Sequence, residues 1–367
     1  MSMSENKRTP LYEEHVKLNA KIIDFHGWDM PLQYTKIMDE HMAVRNHVGI
    51  FDVSHMGDVV VEGKDAEKFL NHMFPTKISD LENGHAVYTA FLNENGNIID
   101  DTIVYRISAD KFFFVPNASM IDTIVSWVKK NSSGYSVNIS DYSSDIACIA
   151  LQGPDSIKVM ASLGIKDPGP FMFEEMASGK LKFSENKITG RKSAIISGTG
   201  YTGEHGIEIL CSSMDAASVW EALLKEVRKE GGLPCGLGSR DTLRMEKGML
   251  LSGTDFHGER NPHECAITFI LTNDGEFIGK EGLSRPVNEI FRGFILDSKI
   301  IPRAGNIVMK GENQVGKITS GTLSPVLDRA IALGFVDKKT VKPGSSVMIM
   351  VRDRELNATV SRPKIVP

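Results

Sequence analysis

An aspartate pair inside an apolar run is the first feature of the sequence that points to chemistry. Asp100 and Asp101 lie in the segment 98–105, whose β-branched and aromatic residues are typical of a strand. Because side chains alternate along a strand, Asp101 shares one face with Ile103 and Tyr105. A carboxylate among such neighbours loses water and needs a hydrogen-bonding partner from protein or ligand. Asp101 is therefore a candidate catalytic group.

Structural alternatives remain open for both aspartates. On the opposite face of the strand, we expect Asp100 to stay solvated or to pair with Arg106. Asp101 could instead lie at a bulge that shifts the register, or it could cap a turn.

A second candidate acid follows a glycine-rich segment. Gly198, Gly200 and Gly203 have the spacing of a dinucleotide-binding fingerprint, but the next residues, 206–211, predict a strand where that fingerprint requires a helix. We expect the glycines to form a tight hairpin whose backbone can approach a flat ligand. In the strand that follows, Glu208 points away from its apolar neighbours. Its carboxylate can accept the two parallel N–H bonds of the amino-pyrimidinone edge of a pterin or guanine, unless it is simply an exposed strand glutamate.

A candidate cation lies further along the chain. Gly236 and Gly238 precede Arg240 at the start of a predicted helix, where backbone and guanidinium can converge on an anionic or carbonyl-rich ligand. The alternative is a surface pair between Arg240 and Asp241.

Metal and disulfide chemistry is not supported by the spacing of the histidines and cysteines. His41, His47 and His55 do not form an HxxxH pair with a carboxylate base, and we expect structural roles for them. The four cysteines are scattered without a CxxC pair, which favours buried, reduced thiols.

Composition excludes two classes of partner. The 367 residues carry a net charge of −5 and no long basic block, so nucleic-acid binding is not expected. No stretch approaches about 18 uninterrupted apolar residues, and the first residues lack the apolar core of a secretory signal. We therefore expect no membrane association and a cytoplasmic location.

The elements that would position these residues belong to a mixed fold. From Gly57 to Ile139 the pattern alternates short strands with two helices, which suits an α+β sheet close to a split βαβ repeat. After Gly253, six short strands separated by turn residues predict a small β-barrel or sandwich.

These signals together resemble the T protein of the glycine cleavage system, a tetrahydrofolate-dependent aminomethyltransferase, over nearly the whole chain. The segments that carry the resemblance are Asp24-Phe-His-Gly-Trp28, Phe51-Asp-Val-Ser-His-Met-Gly57, Ile98-Ile-Asp-Asp101, Leu151-Gln-Gly-Pro154, Thr199-Gly-Tyr-Thr-Gly-Glu204, Gly236-Leu-Gly-Ser-Arg-Asp-Thr-Leu-Arg244 and Ile318-Thr-Ser-Gly-Thr-Leu-Ser-Pro325. One departure is Gly198, where many members have arginine.

The resemblance implies an α+β fold of three domains in a clover-leaf arrangement. The expected divisions are a split first domain at 1–53 and 145–255, a ferredoxin-like second domain at 54–144 that carries Asp101, and a C-terminal β-barrel at 270–367.

The resemblance also implies the reaction and its residues. A lipoylated carrier protein, the H protein of the system, would present an aminomethyl group to tetrahydrofolate, giving 5,10-methylenetetrahydrofolate and ammonia. Asp101 would be catalytic, and the folate contacts would be Tyr88, Tyr105, Asn117, Tyr201, Glu208 and Arg240. The alternatives are a folate-dependent demethylase of a small methylated donor and a non-catalytic folate-binding protein of the same superfamily.

Overall fold

The computed structural model describes residues 6–367, which form helices and strands of an α+β fold. The α-helices are α1 (Tyr12–Lys17), α2 (Ile37–Asn46), α3 (Ala66–Met73), α4 (Ile121–Asn131), α5 (Ser156–Leu163), α6 (Ala216–Lys229) and α7 (Leu237–Lys247). The β-strands are β1 (Lys7–Arg8), β2 (Lys21–Phe25), β3 (Trp28–Gln33), β4 (Gly49–Asp52), β5 (Val59–Glu62), β6 (His85–Leu92), β7 (Ile98–Ser108), β8 (Lys111–Phe114), β9 (Asn138–Asp141), β10 (Ile146–Gln152), β11 (Phe173–Met176), β12 (Glu185–Asn186), β13 (Arg191–Lys192), β14 (Ala194–Ser197), β15 (Gly206–Ser212), β16 (Leu233–Pro234), β17 (Glu289–Leu296), β18 (Ile307–Lys310), β19 (Asn313–Ser324), β20 (Arg329–Asp337), β21 (Ser346–Val351) and β22 (Arg354–Ser361).

A six-stranded sheet, in the order β11-β14-β15-β10-β4-β16, draws strands from two separate stretches of the chain. Its inner strand β10 is almost entirely apolar and pairs antiparallel with β15 and with β4. A strand covered on both faces needs such a continuous apolar run.

Helices α5 and α6 cover one face of this sheet. In α6, Val219, Trp220, Leu223 and Val227 recur at helical spacing and are fully buried. They form one core with Ile207 and the other inward residues of β10 and β15.

The opposite face of the same sheet contributes to a second core. This core joins Tyr105 and Phe113 of β7 and β8 to Phe173, Ile195 and Leu210 of β11, β14 and β15. Because alternate residues of β15 belong to the two cores, Glu208 faces the second one together with Leu210.

A five-stranded sheet, in the order β6-β7-β8-β5-β9, is formed by the strands between residues 59 and 141. The strands and the two helices α3 and α4 follow the order that the sequence predicts for this region. Near the end of β7, the register with β8 shifts between Arg106 and Ser108.

Strands β17 to β22 close into a barrel in the order β17-β20-β19-β18-β21-β22. The α+β class and the C-terminal β-barrel predicted from the sequence are therefore confirmed. The expected sandwich alternative is wrong, because β17 pairs with β22 and closes the sheet.

The chain divides into two compact units. The first unit comprises residues through Leu70, Ile78–Tyr88 and Thr102–Arg240, and the second comprises Asn71–Lys77, Thr89–Asp101 and Asp241–Pro367. The division passes through β6, β7 and α7. The three-domain boundaries stay a prediction.

Within residues 6–367, no helix has both the length and the apolar content needed to cross a membrane. All four cysteines are free, and Cys148 is half-buried while the other three are buried.

Some elements were not predicted. Strand β3 contains Trp28 and Pro31, and the short strands β11, β12 and β13 are rich in charged residues, so none of these segments has the pattern of a strand.

Candidate functional site

A chain of hydroxyl groups holds the carboxylate of Glu208 on strand β15. The Thr199 hydroxyl donates to Oε2 of Glu208 over 2.5 Å, and the Tyr105 hydroxyl lies 3.2 Å from Thr199 Oγ1. Ser197 Oγ lies 2.9 Å from the same threonine oxygen. Glu208 is half-buried, so the alternative of an exposed strand glutamate is wrong.

The direction of these hydrogen bonds follows from their chemistry. Thr199 gives its one hydroxyl proton to Glu208 and must accept from Tyr105. Burial, with the negative charge of Glu208 as a further cause, raises the pKa of Tyr105 well above its ordinary value, which keeps this donor protonated. The Tyr105 ring stacks on Phe113 with centroids 4.2 Å apart. The result is a fixed carboxylate beside a rigid aromatic wall.

Arg240 and Tyr201 form a second pair. The Arg240 guanidinium lies over the Tyr201 ring, 4.7 Å from its centroid, and both side chains are half-buried. Asp241 forms an ion pair with Arg244 at 2.8 Å. A simple surface pair of Arg240 with its neighbour is therefore not what the structure contains.

Cys148, on β10, shows that the charges of these groups act on a common region. Burial raises the pKa of its thiol, and the negative charge of Glu208 raises it further, while Arg240 lowers it. Glu208 and Arg240, which belong to the two pairs, thus lie within electrostatic reach of one side chain.

The other two predicted folate contacts also lie in the first unit. Tyr88 is half-buried on β6, and Asn117 is half-buried in the segment that follows β8. All six predicted contacts belong to this unit, whereas Asp101 belongs to the second unit.

Asp100 and Asp101 lie inside β7, and the two faces of this strand are buried to different extents. Asp101 is half-buried, and it is neither in a turn nor at the register shift between Arg106 and Ser108. Its proposed catalytic role stays a prediction.

The expectation for Asp100 is wrong. Its side chain is fully buried, and it accepts a 2.6 Å hydrogen bond from Ser252 Oγ. Arg106 pairs with Glu67 at 2.7 Å instead. From Ile98 to Val104, the residues on the face of β7 that carries Asp100 are buried. The polar side chains among them hydrogen-bond within the protein instead of to solvent.

The glycine-rich segment is a long connection and not a tight hairpin. Strands β14 and β15 pair antiparallel, as predicted, but residues 198–205 join them. A side chain at Gly200 would collide with Gln152, and one at Gly198 would collide with the carbonyl of Gly169. Gly198 and Gly200 are therefore required by contacts within the protein.

Histidines do not form a metal centre in the part of the chain that the structure describes. Among residues 6–367, no group of three or more His, Cys, Asp or Glu side chains is arranged to hold a metal ion. His47 contacts Asp155, and burial lowers the pKa of His55 to about 4.

Comparisons with known proteins decide the family. The model of the GCVT N-terminal domain matches residues 11–274, and that of the glycine cleavage T-protein C-terminal barrel domain matches residues 291–366. The chain belongs to the glycine cleavage T-protein family.

Individual relatives agree with this assignment. An aminomethyltransferase of Thermotoga petrophila is 42% identical over 346 residues, covering 94% of this chain and 93% of that protein. An aminomethyltransferase of Bacillus pumilus is 39% identical over 363 residues, covering 96% and 97%. The crystal structure of the glycine cleavage system aminomethyltransferase T from Bartonella henselae has a TM-score of 0.88 at 29% identity and covers 98% of both chains. The expected family, enzyme class and aminomethyltransferase function are confirmed.

Several side chains of this candidate site were missed from the sequence. Thr199 holds Glu208, Ser197 bonds Thr199, and Asp58 and Cys148 lie within electrostatic reach of Glu208. Ser197 and Thr199 could have been noticed, because two hydroxyl groups at the end of a buried strand each need a hydrogen-bond partner. Cys148 and Asp58 carry no such signal, since only the folded chain brings them near Glu208.

Proposed function

We propose that the chain transfers the one-carbon unit of an aminomethyl-dihydrolipoyl carrier protein to tetrahydrofolate. The observation that carries this proposal is the half-buried Glu208 carboxylate, oriented through Thr199 by the protonated Tyr105. A carboxylate fixed in this way can accept the paired N–H groups of a pterin edge.

Each of the other predicted folate contacts has a chemical role. Arg240, stacked on Tyr201, supplies a planar donor array for carbonyl oxygens of the ligand. Tyr88 and Asn117 supply an aromatic face and an amide that can both donate and accept.

The reaction balances without a further reagent. The folate N5 displaces the lipoyl sulfur from the aminomethyl carbon, and N10 then displaces ammonia from the same carbon, which completes the methylene bridge. The two protons that leave the folate nitrogens appear on ammonia and on the lipoyl sulfur, giving the reduced carrier.

Asp101 is the proposed catalytic residue. Its carboxylate, half-buried in the middle of β7, would hydrogen-bond the N10 side of folate and stabilise positive charge that develops on nitrogen. Replacing Asp101 by Asn keeps the size and removes the charge. Turnover should fall at least about 100-fold while the dissociation constant for tetrahydrofolate changes by less than about threefold, as for a group used only in the transition state. Unchanged turnover would reject the assignment.

The decisive experiment mixes the purified protein with tetrahydrofolate and an aminomethylated lipoyl carrier and measures ammonia. Release that depends on both substrates supports the proposal, with each substrate omitted in turn as the control. Demethylation of a small methylated donor with no activity on the carrier would favour the demethylase alternative. Folate binding without turnover would favour the non-catalytic alternative. The cytoplasm remains the predicted compartment.

A further inference from the structure

Asp58 is a buried acid that the proposed reaction does not use. It follows Gly57 and precedes strand β5, and its side chain is 3% exposed. Val60, two residues later, belongs to the second core together with Tyr105 and Phe113. Because side chains alternate, Asp58 points to the same face of the sheet as these residues.

The carboxyl group of Asp58 lacks a hydrogen bond that buried groups normally have. Its Oδ1 atom is buried and has no hydrogen-bond partner among the described residues. Its backbone is well anchored, since the amide donates to Ser143 Oγ and the carbonyl accepts from the Tyr142 amide. Buried polar atoms of folded proteins are nearly always paired, so a rigidly held atom without a partner suits a ligand contact.

The surroundings of Asp58 are elements that carry predicted folate contacts. The amide of Gly57 donates to the carbonyl of Pro116 over 2.9 Å, which places Asp58 beside the segment of Asn117. The negative charge of Glu208 acts on Asp58 and on Cys148 alike. Asp58 thus lies near Asn117 and Glu208 and on the face of Tyr105.

The expected protonation state makes Asp58 complementary to Glu208. Burial, then the charges of Asp141 and Glu208, raise the pKa of Asp58 well above its ordinary value. A neutral carboxyl group presents one donor and one acceptor, whereas an ionised one only accepts. A pterin ring has both N–H groups and acceptor nitrogens, so it offers partners for both acids.

We propose that Asp58 is a further binding residue for the reduced pterin ring, giving and accepting one hydrogen bond each. This inference rests on the proposed folate-dependent function.

The test is calorimetric titration with tetrahydrofolate under anaerobic conditions. Asp58→Ala removes both hydrogen bonds and should weaken binding by at least about tenfold. Asp58→Asn keeps one donor and one acceptor and should stay within about threefold of the wild type. Asp141→Asn is the matched control, because Asp141 is exposed, acts on Asp58 by its charge and bonds Ser143, which anchors the Asp58 amide; it should change the affinity by less than about twofold.

Two further measurements distinguish a ligand contact from a structural role. Since Oδ1 has no partner in the part of the chain that the structure describes, Asp58→Ala should leave the melting temperature of the ligand-free protein within about 2 °C of the wild type or raise it. A tetrahydropterin without the aminobenzoylglutamate tail should show the same loss of affinity as tetrahydrofolate.

Each contrary result has a defined meaning. A wild-type protein that does not bind tetrahydrofolate would reject the proposed function. A wild type that binds, with an Ala variant that binds equally well, overturns the role of Asp58 alone. An Ala variant that loses affinity together with several degrees of melting temperature, or that loses affinity only for the ligand with the tail, also overturns it.

Discussion

Asp255 in the second unit and Asp58 in the first are buried to the same degree, at 1% and 3% exposure, but have opposite surroundings. Asp255 accepts hydrogen bonds from Arg244 at 2.7 Å, from the Leu251 amide at 2.9 Å and from Ser320 at 2.7 Å, as well as from Thr319. Asp58 has an oxygen without a hydrogen-bond partner within residues 6–367. Burial alone therefore does not separate these two acids, whereas hydrogen-bond satisfaction does.

The hydrogen-bonded cluster of Asp255 and Arg244 should lose stability when one partner is removed. Arg244→Met leaves the Asp255 charge buried and unpaired, and we expect the free energy of unfolding to fall by about 3–5 kcal/mol. Urea denaturation followed by circular dichroism measures this. The double variant Arg244→Met/Asp255→Asn removes both charges and should recover much of the loss. A single-variant loss below about 1 kcal/mol would show that the ion pair contributes little.

Around Glu208 and Asp58, a substitution should lower the affinity for the ligand instead of the stability of the protein. Glu208→Gln replaces one acceptor oxygen by a donor and cannot accept two parallel N–H bonds, so tetrahydrofolate affinity should fall at least about tenfold, or about 1.4 kcal/mol. Titration calorimetry measures the change. Glu174→Gln, at an exposed strand glutamate of β11, is the control and should bind as the wild type does. Equal affinities for both variants would remove Glu208 from the site.

Asp58 should also make the stability of the protein depend on pH. In the unfolded chain Asp58 ionises near its ordinary pKa of 3.8, while in the folded protein burial, Asp141 and Glu208 raise its pKa, with the thiol of Cys148 also nearby. The folded state therefore binds the extra proton between these two pKa values, and stability falls as the pH rises through that window.

The comparison with Asp58→Asn isolates this effect. The variant has no group to titrate there, so its stability relative to the wild type should grow from pH 4 upward by at most about 1.4 kcal/mol per pH unit. Denaturant unfolding of both proteins at several pH values measures it. Parallel stability curves would mean that Asp58 ionises normally in the folded protein.

An exposed pair gives the smallest expected effect. Lys299 and Asp328 form a two-bond ion pair at 2.6 Å, but their side chains are 62% and 67% exposed. Lys299→Ala should lower the free energy of unfolding by less than about 0.5 kcal/mol, and high salt should abolish the difference. A larger loss would show that the exposed fraction of a carboxylate does not predict its contribution to the free energy of unfolding.

The comparison also explains how far the sequence could lead. The alternation around Glu208 predicted its face correctly, because Ile207 and Ile209 belong to a core that α6 covers. The barrel strands were predicted because turn residues separate them. These signals are local in the chain.

The errors arose where partners come from distant segments. Asp100 was expected to be solvated, but Ser252, which is 152 residues away, supplies its hydrogen bond. Asp58 gave no signal, since its neighbours Glu208 and Pro116 approach only in the folded chain. Gly198 and Gly200 were interpreted as a ligand-facing turn, although Gly169 and Gln152 account for both.

The protonated thiol of Cys148 has a consequence for an electrophilic substrate. Thiols attack carbon electrophiles and peroxides as thiolates, and burial with the neighbouring acids keeps this sulfur in the unreactive form. In the proposed reaction, a carbon at the oxidation level of formaldehyde would therefore meet a poor nucleophile at this sulfur. Glu208, the proposed pterin contact, is one of the groups that keep this thiol protonated.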